Sequence, residues 1–96
     1  MQDMKKKANA AAGFLKSLAN PHRLIVLCAL AQGEHSVSDL IDITGISQTS
    51  MSQHLSKLKD ENLVAFRRDH RTLYYYIKDQ NVLQIIGILY DIYCKK

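Results

Sequence analysis

The stretch from Ser47 to Ser56 carries a row of neutral hydrogen-bonding side chains and no Lys, Arg, Asp or Glu. Ordinary solvated helices place Lys and Glu pairs on their exposed side. Short neutral donors and acceptors are what base edges in a DNA groove require, whereas a carboxylate there is repelled by the phosphates. The alternative is a polar face that only meets water. The pattern favours contact with nucleic acid.

Helical spacing decides which of these side chains face outward. Met51, Leu55 and Leu58 recur at intervals of four and three residues, so they are predicted to face a core. The polar residues between them then form an outer face, and basic residues that can bind phosphate follow on the next segment. The predicted DNA-contacting residues are Gln48, Thr49, Ser52, Gln53, Ser56, Lys57, Arg67, Arg68, His70 and Arg71.

Capping residues and periodicity predict five helices and two strands in the order helix, helix, helix, helix, strand, strand, helix. Asn20 with Pro21 can begin the second helix and Gly33 can end it, while Ser36 and Asp39 resemble a capping box. The first helix is predicted over 4–19, and Gly45 is expected to close the third helix. Ser47 caps the fourth helix, which ends near Asn62, and Asp79 caps the last helix. The alternating segments "LVAFRR" and "TLYYYI" around "DHRT" predict the two strands of a hairpin.

Two short helices joined by "TGIS" and followed by a hairpin predict a winged helix-turn-helix. The fold class is mainly α with a β-hairpin. No linker, repeat or low-complexity segment divides the chain, so residues 1–96 are predicted to form a single domain.

Composition predicts a homodimer. The chain has 96 residues, of which 47% are hydrophobic, more than a small monomer easily buries. The last helix is apolar on more than one side, so another chain is expected to cover it, and we predict dimerisation through residues 4–19 and 79–95. Burial within one chain is the alternative.

Charge and hydropathy bound the partners and the compartment. The net charge of +4 favours an anionic partner such as nucleic acid. No stretch approaches the roughly 18 apolar residues of a membrane span, and the basic N-terminus lacks a signal-peptide core, so a soluble cytoplasmic protein without membrane contact is expected. Its two cysteines are then not expected to form a permanent structural disulfide.

Four segments, "LKSLANPHRLIVLCAL", "HSVSDL", "GISQTSMSQHLSKLKDENLV" and "RRDHRTLYYYI", are similar in order and spacing to the ArsR/SmtB family of winged-helix repressors. The resemblance covers roughly residues 8 to 94. It implies a homodimer built on the first and last helices, a recognition helix at 48–61 and a hairpin wing. It also implies a sequence-specific repressor that leaves its double-stranded DNA operator when an inducer is sensed.

The sequence departs from the metal-sensing members of that family. Where thiolate-type members carry cysteines in the third helix, this chain has Ser36 and Ser38, which are poor ligands for soft metal ions. The last helix offers Asp79, Asp91 and Cys94 but no histidine. The histidines are scattered over different elements, namely His22, His35, His54 and His70. We therefore predict neither a metal site nor a cofactor.

Cys28 and Cys94 have two interpretations. From the residues alone, each is a small buried hydrophobe. The resemblance to the BigR-, SqrR- and HlyU-type branch implies instead a redox-sensing dithiol that responds to reactive sulfur species or an oxidant. The lysines beside Cys94 would favour its thiolate, and Cys28 would then resolve the product into a disulfide or polysulfide bridge.

Two other functions stay open at this point. A DNA-binding regulator with inert cysteines could act by competing with other proteins at promoters, as the HlyU-like part of the resemblance suggests. A thiol enzyme is disfavoured because no nucleophile, base and orienting group form a recognisable set, so no enzymatic activity is expected.

Overall fold

The computed structural model describes residues 2–94. It contains five helices and three strands, and it confirms the winged helix-turn-helix predicted from the sequence. The elements are α1 (Gln2–Leu18), α2 (Pro21–Ala31), β1 (His35–Ser36), α3 (Val37–Thr44), α4 (Gln48–Asp60), β2 (Val64–Asp69), β3 (Thr72–Ile77) and α5 (Gln80–Tyr93).

The predicted starts of α2 to α5 are confirmed by their capping bonds, whereas α1 begins at Gln2 rather than at residue 4. The side chain of Asn20 accepts from the backbone of Arg23, and Ser36 and Asp39 form a reciprocal capping box. The side chains of Ser47 and Asp79 cap α4 and α5 by accepting from the backbone N–H groups of Ser50 and Asn81. Gly45 and Asn62, which the sequence predicts at the ends of α3 and α4, have left-handed backbone angles with φ 74° and φ 63°.

The sheet differs from the predicted two-stranded hairpin. Its strand order is β1-β3-β2 and all pairs are antiparallel, because His35 and Ser36 add a short edge strand beside Tyr75 and Tyr74. A two-residue strand directly before a helix cap has too few residues to show an alternating pattern, so the sequence gives no sign of it. The hairpin turn is also tighter than predicted, since Asp69 pairs with Thr72.

The core lies where α2, α3, α4, the base of the hairpin and α5 meet. Met51, Leu55 and Leu58 are buried, which confirms the predicted inner side of α4. The members of this core are Leu18, Val26, Leu27, Leu30, Leu40, Ile46, Met51, Leu55, Leu58, Leu63, Val64, Ile77, Val82 and Ile86. A helix-turn-helix unit held in this way keeps α4 at a fixed angle to the wing.

Helices α1 and α5 leave large apolar side chains exposed. Leu15 of α1 is 53% exposed, and on α5 Ile88, Ile92 and Tyr93 are 58%, 62% and 80% exposed. Only Leu18 of α1 is buried. None of the helices described between residues 2 and 94 has the length and hydropathy needed to cross a membrane.

Candidate nucleic-acid interface and cysteine cleft

Helix α4 separates its core residues from its predicted reading residues. Every polar residue predicted to contact DNA on this helix is exposed, while the apolar residues between them are buried. The exposed set is Gln48, Thr49, Ser52, Gln53, Ser56 and Lys57. The arrangement can present amide and hydroxyl groups to base edges without breaking the core.

At the C-terminal end of α4, a residue predicted to contact phosphate is already part of an ion pair. Lys57 Nζ lies 3.4 Å from Glu61 Oε1, so this predicted phosphate contact is partly neutralised within its own helix. Asp60 and Glu61 line the same shallow groove as Ser56 and Lys57. Carboxylates disfavour close phosphates, so the N-terminal part of the helix is better suited to contact DNA than its C-terminal end.

On the wing, Arg67 is already engaged. Its Nε donates to Glu34 Oε1 at 2.7 Å, and its guanidinium lies 4.7 Å from the centre of the Tyr74 ring. Hydrogen bonding to Glu34 raises the pKa of Arg67. This residue therefore braces the wing against the loop before β1. This pairing is not evident from the sequence because Glu34 and Arg67 lie 33 positions apart.

The remaining wing cations are better placed for phosphate. In the described part of the chain, neither Arg68 nor Arg71 forms an ion pair, and both are exposed. Strand alternation puts Arg68 on the same face as Phe66, whose ring lies 5.5 Å from Lys59 Nζ of α4. His70 sits at the hairpin turn with Nδ1 2.8 Å from Asp69 Oδ1.

The structure brings the two cysteines to one apolar cleft between α2 and α5. Cys28 is half-buried on α2, Cys94 is exposed at the end of α5, and both thiols are free. The cleft has a volume of about 240 Å³. Its other lining residues are Leu24, Ile86, Leu89, Tyr90 and Tyr93.

The environments of the two thiols differ. Burial, with a smaller contribution from Cys94, raises the pKa of Cys28. Cys28 therefore holds less thiolate at neutral pH, which fits a resolving role better than a first attack. Lys95 and Lys96, which the sequence analysis placed beside Cys94, lie outside the described residues.

Residues considered as metal ligands have other roles or lie apart. Ser36 and Asp79 cap helices, and His54 meets His22 edge to face with ring centres 5.5 Å apart. Among residues 2–94, no three His, Cys, Asp or Glu side chains are grouped so as to hold a metal ion.

Comparison with known proteins adds an independent line of evidence. Residues 20–65 match the family described as bacterial regulatory protein, arsR family. The chain is 50% identical to the nodulation protein NolR of Rhizobium meliloti over 86 residues, which are 90% of this chain and 70% of NolR. It is 38% identical to the biofilm growth-associated repressor of Xylella fastidiosa over 93 residues, 97% of this chain and 82% of that protein.

A solved structure agrees with these sequence relatives. Reduced HlyU from Vibrio cholerae superposes with a TM-score of 0.93 at 36% identity, covering 98% of this chain and 99% of HlyU. The similarity in fold therefore extends over nearly the whole chain, including the helices and the wing. The family consists of transcriptional regulators rather than enzymes. The chain belongs to the ArsR family of bacterial DNA-binding transcriptional regulators.

Proposed function

We propose that this protein is a homodimeric, sequence-specific repressor that leaves its operator when Cys28 and Cys94 become bridged. The observation that carries the DNA-reading part is the exposed, uncharged outer face of α4 between buried Met51 and Leu58. The observation that supports the switch is the single apolar cleft that both cysteines line.

Operator reading uses α4 in the major groove and the wing on the adjacent backbone. Gln53 can bond an adenine edge in two places, and Ser52 can bond several bases or a phosphate. Arg68 and Arg71 of the wing then fix the register by contacting phosphates. Since Arg68 and Arg71 lie on the wing and the neutral groups on the helix, affinity and sequence preference are carried mainly by different residues.

Dimerisation follows from the apolar residues that one chain leaves in water. Exposed Leu15 of α1 and exposed Ile88, Ile92 and Tyr93 of α5 belong to the two segments predicted to form the dimer. A second copy would cover them by two-fold symmetry. The same symmetry presents two α4 helices to half-sites one or more helical turns apart.

The thiol chemistry needs a donor of sulfane sulfur or a two-electron oxidant. With a persulfide donor, the Cys94 thiolate attacks the sulfane sulfur and the donor leaves as its thiolate. The Cys28 thiol then attacks the inner sulfur of the Cys94 persulfide, giving a disulfide and releasing hydrogen sulfide. If more sulfane sulfur is added first, the bridge is a polysulfide. The reduced starting state fits a cytoplasmic setting.

The bridge would act by joining two helices with different tasks. Cys28 lies on α2, which packs against the reading unit, and Cys94 ends α5, which belongs to the proposed dimer interface. Tying them together would change the separation of the two α4 helices. A coupling free energy of about 1–3 kcal/mol would weaken operator binding by roughly five- to 150-fold.

The test is operator affinity of the reduced protein before and after treatment with a polysulfide donor. We expect a loss of affinity that a thiol reductant reverses, together with an intact mass that reports the bridge and its sulfur count. Cys28→Ser and Cys94→Ser are the controls and should keep the reduced affinity after treatment. Equal affinity with the bridge present would remove the switch and leave DNA binding standing.

A second candidate is a DNA-binding regulator with inert cysteines that competes with other proteins at promoters. The similarity to HlyU, a transcriptional activator in Vibrio cholerae, favours it. Intact mass separates the candidates, because inert cysteines would gain no bridge from a sulfur donor. A metal-responsive repressor is a weaker alternative. Displacement of operator DNA by a divalent metal would support it.

A further inference from the structure

A polar junction joins the last turn of α1 to α2 and α4, outside both the reading surface and the cysteine cleft. Arg23 lies at its centre. The guanidinium Nε donates to the carbonyl of Ser17 at 2.6 Å, and Nη2 lies 3.5 Å from the carbonyl of Lys16. Arg23 thus caps the C-terminal carbonyls of α1, groups that have no partner within their own helix.

The same junction reaches α4 through Glu61. The Ser17 hydroxyl lies 3.2 Å from the carbonyl of Gly13 on its own helix. Hydrogen bonding to Ser17 is the main reason that the pKa of Glu61 is lowered, and Lys57 and Arg23 add to the effect. The side chains of Ser17, Arg23 and Glu61 therefore connect the end of α1 with the residue that directly follows α4.

His54 is the inward-facing titratable residue of α4 at this site. Its ring is half-buried and meets the ring of His22 edge to face at 5.5 Å. Burial, followed by Arg23 and His22, lowers the pKa of His54. The charged or titratable groups of the junction are therefore His22 and Arg23 on α2, with His54, Lys57 and Glu61 on or directly after α4; α1 adds the neutral Ser17.

Few other contacts orient α1. Leu18 is its one buried residue and Phe14 is packed only partly against the core, while the rest of the helix faces outward. Both anchors and the Arg23 network lie in the last two turns. Because charge-assisted bonds from a planar guanidinium are directional, they can fix an angle that two apolar contacts leave loose.

We propose that Arg23 is a positioning residue that fixes α1, the dimer helix, relative to α4, the reading helix, and so sets the half-site spacing that the dimer accepts. The inference rests on the dimer and the DNA reading proposed above. It adds that the spacing is held within each chain by the bonds of Arg23 to the end of α1, while the neighbouring His22 on α2 contacts His54 of α4.

The experiment compares Arg23→Lys with the unaltered protein on an operator selected from random duplexes, and on duplexes whose half-sites are moved by one or two base pairs. Lysine keeps the charge but lacks the fork that reaches two carbonyls. We expect a loss of roughly 2- to 30-fold at the selected spacing and a flatter dependence on spacing, with unchanged binding to random DNA. Lys78→Gln, which removes an exposed charge outside the junction, should retain the original spacing curve.

Measuring the spacing preference at several pH values gives a result that would not change with pH if Arg23 had only a structural role. Protonating His54 places a second positive charge beside Arg23, so the spacing preference should weaken as the pH falls from about 7.5 to 5.5. His54→Gln should abolish that change. His35→Gln, which removes a histidine of β1 outside both the junction and the predicted DNA-contacting set, should retain it.

Each outcome bears on a separate part of the account. If the unaltered protein binds no duplex, the proposed function fails. If it binds, but Arg23→Lys keeps both the affinity and the spacing curve, only the role of Arg23 is overturned. Should Arg23→Lys lose its fold by circular dichroism, Ser17→Ala and Glu61→Gln test the same network, and the spacing curve must flatten in both for the proposal to stand.

Discussion

Helices α4 and α5 each expose one face, but the exposed side chains are polar on α4 and apolar on α5. On α4 the outer side chains are amides and hydroxyls such as Gln53 and Ser52. On α5 they are apolar, with Ile92 62% exposed. A helix that only meets water carries neither pattern, since it mixes Lys and Glu. Each face therefore indicates a partner of its own kind, DNA for α4 and a second copy for α5.

The largest effect is expected when the same charge is added to each face. Ser52→Glu should lower operator affinity by about 100-fold or more, because a carboxylate meets the phosphates, and should leave the dimer intact. Ile92→Glu should instead dissociate the dimer at micromolar concentration, because it places a charge in a covered apolar contact. Fluorescence anisotropy measures the operator affinity, and light scattering measures the oligomeric state. If both substitutions give the same defect, the assignment of different partners to α4 and α5 is wrong.

Next in size is the contrast between the two sides of α4. Leu58→Ala should cost about 2–5 kcal/mol of unfolding free energy, since it leaves a cavity in the core. Ser56→Ala, two residues earlier on the outer face, should change stability by less than about 0.5 kcal/mol. Urea unfolding followed by circular dichroism checks both values. Equal losses would mean that the inward side of α4 is assigned wrongly.

Within the DNA interface, helix and wing should separate by role. Gln53→Ala should cost about 1–3 kcal/mol on the operator and little on random DNA, because it removes a base contact. Arg71→Ala should weaken binding to all sequences and reduce the salt slope by about 1, because it removes a phosphate contact. Titrations at several salt concentrations distinguish them. A uniform loss in both variants would place the reading face elsewhere.

The smallest expected effect is the pH dependence of stability from His54. Its folded pKa is lowered by burial and by Arg23 and His22, so the unfolded chain binds more protons. This contribution is therefore present above the ordinary histidine value of about 6.5 and is lost as the pH falls through the lower folded value. The unfolding free energy of His54→Gln should decline less between pH 7.5 and 5.5 than that of the unaltered protein. A parallel decline would remove His54 as the cause.

The sequence was most informative where a local rule decides the structure. Capping residues such as Ser36 and Asn20 placed the helix starts, and the spacing of Met51, Leu55 and Leu58 placed the core side of α4. These signals depend on residues a few positions apart, so they can be seen without a fold.

Contacts between distant segments could not be predicted in this way. Strand β1 forms only because His35 finds Tyr75 across the sheet, and Arg67 is occupied only because the fold brings Glu34 beside it. The common cleft of Cys28 and Cys94 is likewise a property of how α2 and α5 pack. The resemblance suggested that pair, and periodicity alone did not.

The most direct test of the central claim is native mass spectrometry of the reduced protein with its operator duplex. Two chains per duplex are predicted, because each chain offers one neutral reading helix and one apolar face for its copy. After a sulfur donor, the dimer should be found free of DNA with the mass of a bridge on each chain. One chain per duplex, or no complex even at low salt, would contradict the account.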